Sequence, residues 1–426
     1  MRGASALTCV LALALAPRLA KAQEQAQELV MATSTVFSRY ADRILKVQVI
    51  EIGSSAKASI GTGFFVSADG LMLTNYHVIA ERIHEPENSR VEVIGPDGAA
   101  TEVEVIAVDV VHDLAVLRTG MSTPHHFMLE PVTIPQGARL YSLGHPSDLG
   151  LSIVEGTYNG NLRHTLYPKI HFTGSINPGM SGGPAITDAG RVVGVNVSTM
   201  GEQRGFLVPR SEAAALLAKA QAPGYAPPHD MLGEIARQLT AYQADYLAGL
   251  FTDSSKMVGV GRFNVPSEPS PIFRCWGDAE RESDLLYERL LHSCSTDDEV
   301  FIAGEQSSGI VEIEHEALVS KGLNAARFAS LYSRRFGSDN TPEGDEKHVT
   351  AWECATRNVK TSAATMRTVL CVRRLRKLDG LYDAVLKVAV LGARDTGLIS
   401  TLTISGAAYE NIERLTSRYM ERISWR

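Results

Sequence analysis

Cysteine is scarce in this chain, and its placement excludes one kind of chemistry. Only 5 of 426 residues are cysteine; Cys9 lies in an apolar leader, and Cys275, Cys294, Cys354 and Cys371 all lie in the second half, so the first half holds no thiol for catalysis. Long apolar runs are also missing. The stretch from Ala4 to Ala16 is broken by Pro17-Arg18, short of the roughly 20 residues that a spanning helix needs. Nor does one charge dominate: 41 Lys and Arg stand against 48 Asp and Glu, a formal net charge of -7, which gives no reason to expect a nucleic-acid partner.

What is present is a globular composition, 44% hydrophobic and 21% charged, at a length that suggests two or three domains of about 100–200 residues each. Arg2, the apolar stretch after it and Ala20-Lys21-Ala22 follow the layout of a secretory signal, so export to the periplasm or beyond the cell is expected, with cleavage near Ala22. For an exported chain the four remaining cysteines predict two disulfides. Of three pairings the sequential one is favoured, Cys275 with Cys294 and Cys354 with Cys371, each closing a loop worth roughly 3 kcal/mol through the unfolded state.

Glu24 to Asp42 reads as a polar helix, and from Ile44 to Pro209 short apolar strands are separated by turn residues. Ser67-Ala68-Asp69-Gly70 and Thr187-Asp188-Ala189-Gly190 each sit between two apolar runs, a hairpin signal. No 10–15-residue helices alternate with these strands, which disfavours a parallel α/β sheet and favours antiparallel barrels. Ser211 to Gln221 reads as a helix capped by Ser211, Ala222 to Pro228 as a linker, and Met231 to Phe251 as a second helix with one apolar face. Beyond Val258, strands and helices mix; Asp379-Gly380 marks a hairpin between Val369–Arg376 and Leu381–Leu391, and Asn411 to Ile423 reads as a closing helix.

The strongest chemical signal is Asn177-Pro178-Gly179-Met180-Ser181-Gly182-Gly183-Pro184. A serine hydroxyl attacks only when a base takes its proton, and its tetrahedral adduct needs N–H groups aimed at the oxyanion. Gly179 allows the tight turn that presents such amides over Gly179, Met180 and Ser181, and Gly182-Gly183 are expected to leave room for substrate. His77, at the end of a predicted strand, is the candidate base. Asp113, just before the apolar run Leu114 to Leu117, is the candidate orienting carboxylate, preferred over Asp109. The chain order His, Asp, Ser is that of chymotrypsin-type barrels; subtilisins and α/β-hydrolases run in other orders.

Gly61-Thr62-Gly63-Phe64-Phe65-Val66-Ser67, His77-Val78-Ile79, Asp113-Leu114-Ala115-Val116, Gly179 to Pro184 and Gly205 to Pro209 together resemble the HtrA/Deg branch of trypsin-like serine proteases. The resemblance covers about Ile44 to Pro209. It implies an all-β double β-barrel (chymotrypsin-like) protease domain over residues 44–210 and a serine endopeptidase acting on exposed or misfolded polypeptide, with oligomers open to it. Around that domain the sequence places an N-terminal helix (23–43), a helical linker (211–257) and a smaller α+β C-terminal domain (258–426).

Two departures from the branch stand out. Met180 occupies the place before the nucleophile where an Asn or Asp is usual, so ordering of the oxyanion loop by a new amino terminus is excluded. No PDZ carboxylate-binding loop follows Pro209, so peptide-tail sensing is not carried over. The resemblance places Ser175 and Ile176 near the specificity pocket and Asn196-Val197-Ser198 on its side strand; with no acid there, a small or medium apolar residue before the cut is expected. No metal or cofactor is expected: His315-Glu316 lacks the second histidine of a zinc helix, and His125-His126 has no third ligand. Arg373, Arg374, Arg376 and Lys377 read as a solvated strand end.

Overall fold

The computed structural model describes residues 33–199, 204–281, 285–337 and 341–426, with the backbone alone at Ser198 and Thr199. The expected signal and its cleavage near Ala22 lie outside the described residues. Of the expected N-terminal helix, residues 33–40 (α1) are helical, and Val36 and Tyr40 are buried against the strands that follow.

Strands β1 (Ile44–Glu51), β2 (Lys57–Phe65), β3 (Leu71–Thr74), β4 (Ser89–Ile94), β5 (Ala100–Glu102), β6 (Glu104–Asp109) and β7 (Leu114–Arg118) form one antiparallel sheet, ordered β5-β4-β1-β2-β3-β7-β6. Helix α2 (Tyr76–His84) follows β3 directly. A second set, β8 (Arg139–Gly144), β9 (Ser152–Asn161), β10 (Ile170–Phe172), β11 (Pro184–Ile186), β12 (Val192–Thr199) and β13 (Gly205–Pro209), closes into a barrel. The sequence predicts two barrels, and barrel-like sheets are what the first half contains, this second set closed by its own ladder. In the first sheet the end strands β5 and β6 are separated by Val103 alone, whose N–H donates to Val91. β5 pairs with β4 and β6 with β7, so this nearly continuous run borders both ends of the sheet and brings them round to each other.

Helix α3 (Arg210–Ala220) starts one residue before the predicted cap; Ser211 Oγ bonds Glu212 and caps nothing. Helix α4 (Met231–Ala248) is capped by Asp230, which accepts the Gly233 N–H at 2.8 Å. These helices do not behave as a tether. Helix α3 buries Ala213, Leu216 and Leu217 against the first half. Helix α4 places Ile235 and Leu239 in the core beneath α2, and Leu247 in the core of the second half.

That second half contains β14 (Met257–Val260), β15 (Phe263–Pro266), β16 (Phe273–Glu280), β17 (Tyr287–Thr296), the hairpin β18 (Val300–Ala303) and β19 (Gln306–Ser308), and β20 (Val311–Ser320). Helix α5 (Ala325–Phe336), β21 (Glu353–Lys360), β22 (Thr365–Arg374), β23 (Leu381–Val390), β24 (Thr396–Ala408), helix α6 (Tyr409–Glu421) and β25 (Ser424–Trp425) complete it. Seven strands make one antiparallel sheet, β16-β17-β20-β24-β23-β22-β21. Its two edge hairpins each carry a pair of directly opposed cysteines, Cys275 with Cys294 and Cys354 with Cys371, with sulfurs 2.03 and 2.06 Å apart.

The predicted solvated basic cluster is partly internal. Arg373 is buried, paired with Asp383 at 2.8 Å and stacked over Trp352. Lys377 donates to the His84 carbonyl at 2.7 Å and pairs with Glu85, both at the C-terminal end of α2, where the helix dipole favours a cation.

Candidate active site

Three connections bring the predicted residues to the junction of the sheet and the barrel. His77 is the second residue of α2, Asp113 sits in the turn between β6 and β7, and Ser181 lies in the loop between β10 and β11. Asp113 is buried and takes φ 54°, a conformation unusual outside glycine. The Asn75 side chain holds it there, donating to the Asp113 carbonyl at 2.7 Å. The carboxylate then engages His77 twice: Oδ1 accepts the His77 backbone N–H at 2.8 Å, and Oδ2 meets Nδ1 at 2.6 Å. A carboxylate has no proton to offer, so Nδ1 carries the hydrogen and Nε2 keeps its lone pair.

Burial pulls His77 toward its neutral form, but the charge and hydrogen bond of Asp113 outweigh burial and raise its pKa above the ordinary histidine value. Asp109, the competing carboxylate, is engaged elsewhere, with His112 Nδ1 at 2.7 Å. The Ser181 hydroxyl donates to the Val197 carbonyl at 3.2 Å. Among the described residues no hydrogen bond joins it to His77, so the imidazole is brought to the carboxylate while the hydroxyl faces β12.

The loop's own backbone identifies its free donors, because every buried N–H and C=O must be accounted for. The Asn177 carbonyl accepts the Met180 N–H, that of Pro178 the Ser147 N–H, and that of Ser181 the Thr62 N–H. The Gly179 carbonyl accepts the Thr62 hydroxyl at 2.7 Å, and the Met180 carbonyl accepts the Asn196 amide at 3.2 Å and the Gly183 N–H. Five consecutive carbonyls are thus satisfied. Of the N–H groups from Gly179 to Gly183, those of Met180, Gly182 and Gly183 are spent. The amides of Gly179 and Ser181 have no acceptor among the described residues. Because a peptide is planar and trans, fixing the Pro178 and Met180 carbonyls also fixes the directions of these two N–H groups.

Several predicted roles are corrected by this accounting. The Met180 amide is spent on Asn177 and is not an oxyanion donor, while its side chain is buried among Leu140, Ile176 and Leu207. Gly182 and Gly183 do not open space for substrate. A Cβ on Gly182, at φ +85°, would lie 2.2 Å from the Thr62 carbonyl, and one on Gly183 would lie 2.1 Å from the Leu143 carbonyl. Close backbone approach within the first half demands these glycines. Asn196 is wholly buried, bonded to Ser142, Leu143 and Met180, so it supports the loop and is closed to substrate.

Of the other expected pocket residues, Ser175 is exposed, Ile176 is buried beside Met180, and Val197 is buried with its carbonyl on Ser181. Ser198 is described only as backbone of β12, paired with Phe206.

Sequence reasoning missed three supports. Thr62 lies inside a quoted motif and Asn75 two residues before His77, yet their partners are remote in the chain. Asp148, with its neighbour Ser147, takes a left-handed conformation in the β8–β9 connection. It pairs with Lys46 at 2.6 Å and with Lys57, which hold its carboxyl down to about 2. That clamp fixes the turn whose Ser147 N–H holds Pro178. Elsewhere, the buried His315 bonds Ser400 and the Pro266 carbonyl. Cys275, His292 and Cys294 gather three ligand-type atoms, but the two sulfurs stand at bonding distance from each other.

Residues 61–195 match the family model described as the trypsin-like peptidase domain. Over 179 residues the chain is 32% identical to the mitochondrial serine protease HTRA2 of Bos taurus, covering 40% of this chain and 38% of that protein. Over 159 residues it is 32% identical to a probable periplasmic serine endoprotease, DegP-like, of Pseudomonas savastanoi pv. phaseolicola, covering 35% and 31%. The chain thus spans less than two fifths of the length of either relative. The crystal structure of a serine endoprotease from Yersinia pestis aligns with a TM-score of 0.39 at 24% identity, over 45% of this chain and 68% of that one.

Proposed function

We infer, from the trypsin-like peptidase domain to which residues 61–195 belong, that the chain is an HtrA-like serine endopeptidase cleaving exposed or misfolded polypeptides. The observation that carries this reading is the pair of hydrogen bonds that His77 donates to Asp113, which leaves Nε2 free to act as a base.

In the reaction Ser181 turns from Val197 toward His77. Nε2 takes the hydroxyl proton as Oγ bonds to the scissile carbonyl carbon, whose π pair moves onto oxygen. The amides of Gly179 and Ser181 receive that oxyanion, and Asp113 stabilises the imidazolium without taking its proton. Collapse of the adduct breaks the C–N bond, and the imidazolium gives its proton to the leaving amine. Water, deprotonated by the same nitrogen, then hydrolyses the acyl ester and restores the serine. Each half-reaction returns His77 to its starting state.

Export with cleavage near Ala22, a periplasmic or secreted location, disulfides at both cysteine pairs, and a protease domain at 44–210 complete the proposal. A second reading is a latent barrel that binds polypeptide through the C-terminal domain. The Ser181 hydroxyl resting on Val197 favours it. A fluorophosphonate probe separates the two: labelling of the mature protein that disappears in Ser181→Ala supports the peptidase, and absence of labelling with casein or unfolded protein present refutes it.

A further inference from the structure

The hairpin β18–β19 belongs in sequence to the second half but packs in the core of the first. Val300, Ile302 and Ala303 are buried in one cluster with Tyr76, Val78, Ile79 and Ile83. The Tyr76 hydroxyl donates to the Ile302 carbonyl at 2.8 Å. On its other side, just before β18, Asp298 accepts the Leu166 N–H at 2.9 Å and pairs with Lys169 at 2.5 Å, both in the β9–β10 connection of the barrel. The Asp298–Lys169 pair is nearly buried, at 12% and 10% side-chain exposure. One hairpin therefore bridges the sheet that supplies His77 and the barrel that supplies Ser181.

Alternation along β18 turns Phe301 opposite to Val300 and Ile302, so that it packs only partly buried at the edge of that core. It is half-buried, and its ring lies 6.1 Å from the His77 imidazole at 80°, edge to face, and 6.2 Å from Tyr76. His77 must protonate the leaving amine, so the exposed part of a ring beside the imidazole stands near the substrate residues that flank the scissile bond. A hairpin fixed at both ends by a continuous core and a buried ion pair cannot swing aside for a large side chain.

We propose that Phe301, supplied by the second half, is a specificity-determining residue of the cleft, walling the His77 side and restricting the polypeptide to small residues beside the scissile bond. The assignment rests on the peptidase reading. A pocket wall of this size discriminates on the order of tenfold or more between small and large side chains.

The test compares the full mature chain with Phe301→Ala and Phe301→Leu. Fluorogenic peptides vary Gly, Ala, Leu and Phe at the two positions before the cleaved bond and the one after it. The wild type is expected to prefer Gly or Ala over Leu or Phe by tenfold or more in kcat/KM at one of these positions. Phe301→Ala should abolish that preference, and Phe301→Leu should give an intermediate ratio. Ratios that match the wild type at every position, or a uniform rise for all peptides, would overturn the assignment, the second because Phe301 would then be a plug. Fluorophosphonate labelling of all three proteins runs in parallel. If the wild type labels and the ratios do not move, only the Phe301 assignment falls; if the wild type never labels, the peptidase reading falls and takes the assignment with it.

Discussion

Asn196→Leu discriminates a loop support from a substrate contact. Leucine has nearly the shape of asparagine but neither donates nor accepts, so the substitution deletes three bonds at a fully buried position: from the Ser142 hydroxyl at 2.9 Å, to the Leu143 carbonyl at 3.2 Å, and to the Met180 carbonyl at 3.2 Å. Met180 keeps the Gly183 N–H. The Ser142 hydroxyl, itself 0% exposed, is left without that acceptor, and the Leu143 carbonyl loses a donor; at about 1–3 kcal/mol for each group the fold loses roughly 2–6 kcal/mol. Loosening the Met180 carbonyl also loosens the Ser181 N–H in the same peptide. Loss of one oxyanion donor lowers kcat by about 100- to 1000-fold, and a partial loss should fall toward the lower figure. KM should hardly move, because the side chain meets no substrate. Steady-state kinetics on a peptide substrate, with urea unfolding alongside, make the measurement. A second variant, Asn196→Leu with Ser142→Ala, removes the orphaned hydroxyl and should regain about 1 kcal/mol or more without regaining kcat. A tenfold rise in KM with kcat within twofold of wild type would refute the reasoning.

Asp148→Ala should lower kcat about tenfold or more by freeing the Pro178–Gly179 peptide, yet cost under about 1 kcal/mol of stability because its ion pairs are largely solvated; equal kcat in stopped-flow acylation would contradict the clamp. Asp113→Asn should lower kcat by about four orders of magnitude. Neutral His77 is the active form, so wild-type activity rises as pH climbs through a value above the usual histidine range. With the charge gone, burial alone remains, and the acid limb of the residual activity should move down; an upward move would be wrong in sign. The Asp148 carboxyl, at about 2, stays charged through that limb and adds nothing to it. Gly182→Ala forces a Cβ into the Thr62 carbonyl at a positive φ, so it should lose more than about 2 kcal/mol, and unchanged thermal unfolding would disprove the close approach.

Much of the first half was legible because its signals are local. Turn residues such as Asp69-Gly70 fix hairpins whatever lies beyond them, and β22 and β23 meet around Asp379-Gly380 as the alternation predicts. The motif around Ser181 carries its chemistry within a few residues. What could not be read were partners set by tertiary approach. Nothing near Gly182 in sequence tells that Thr62 presses on it, and the Arg373–Lys377 stretch looks solvated until Asp383, Trp352 and the end of α2 are placed around it. The same holds for the helical linker: the apolar face of α4 was visible, but its burial in two cores at once depends on where Leu239 and Leu247 arrive in space.

Met180 shows how an order that a charge usually supplies can be assembled from neutral parts. A carboxylate before the nucleophile orders its loop by meeting a cation inside the protein, and until that cation arrives the loop has no reason to hold one shape. Here the side chain at that position is apolar and belongs to the barrel core, so its burial anchors the loop's middle without a charge. Its carbonyls are held by Thr62, Ser147 and Asn196, all present in the uncleaved chain. The donors left over are those of Gly179 and Ser181. The directions of these two N–H groups are therefore held without an acidic residue at position 180. Control over the reaction would then act on the Ser181 hydroxyl, which among the described residues rests on Val197 and not on His77.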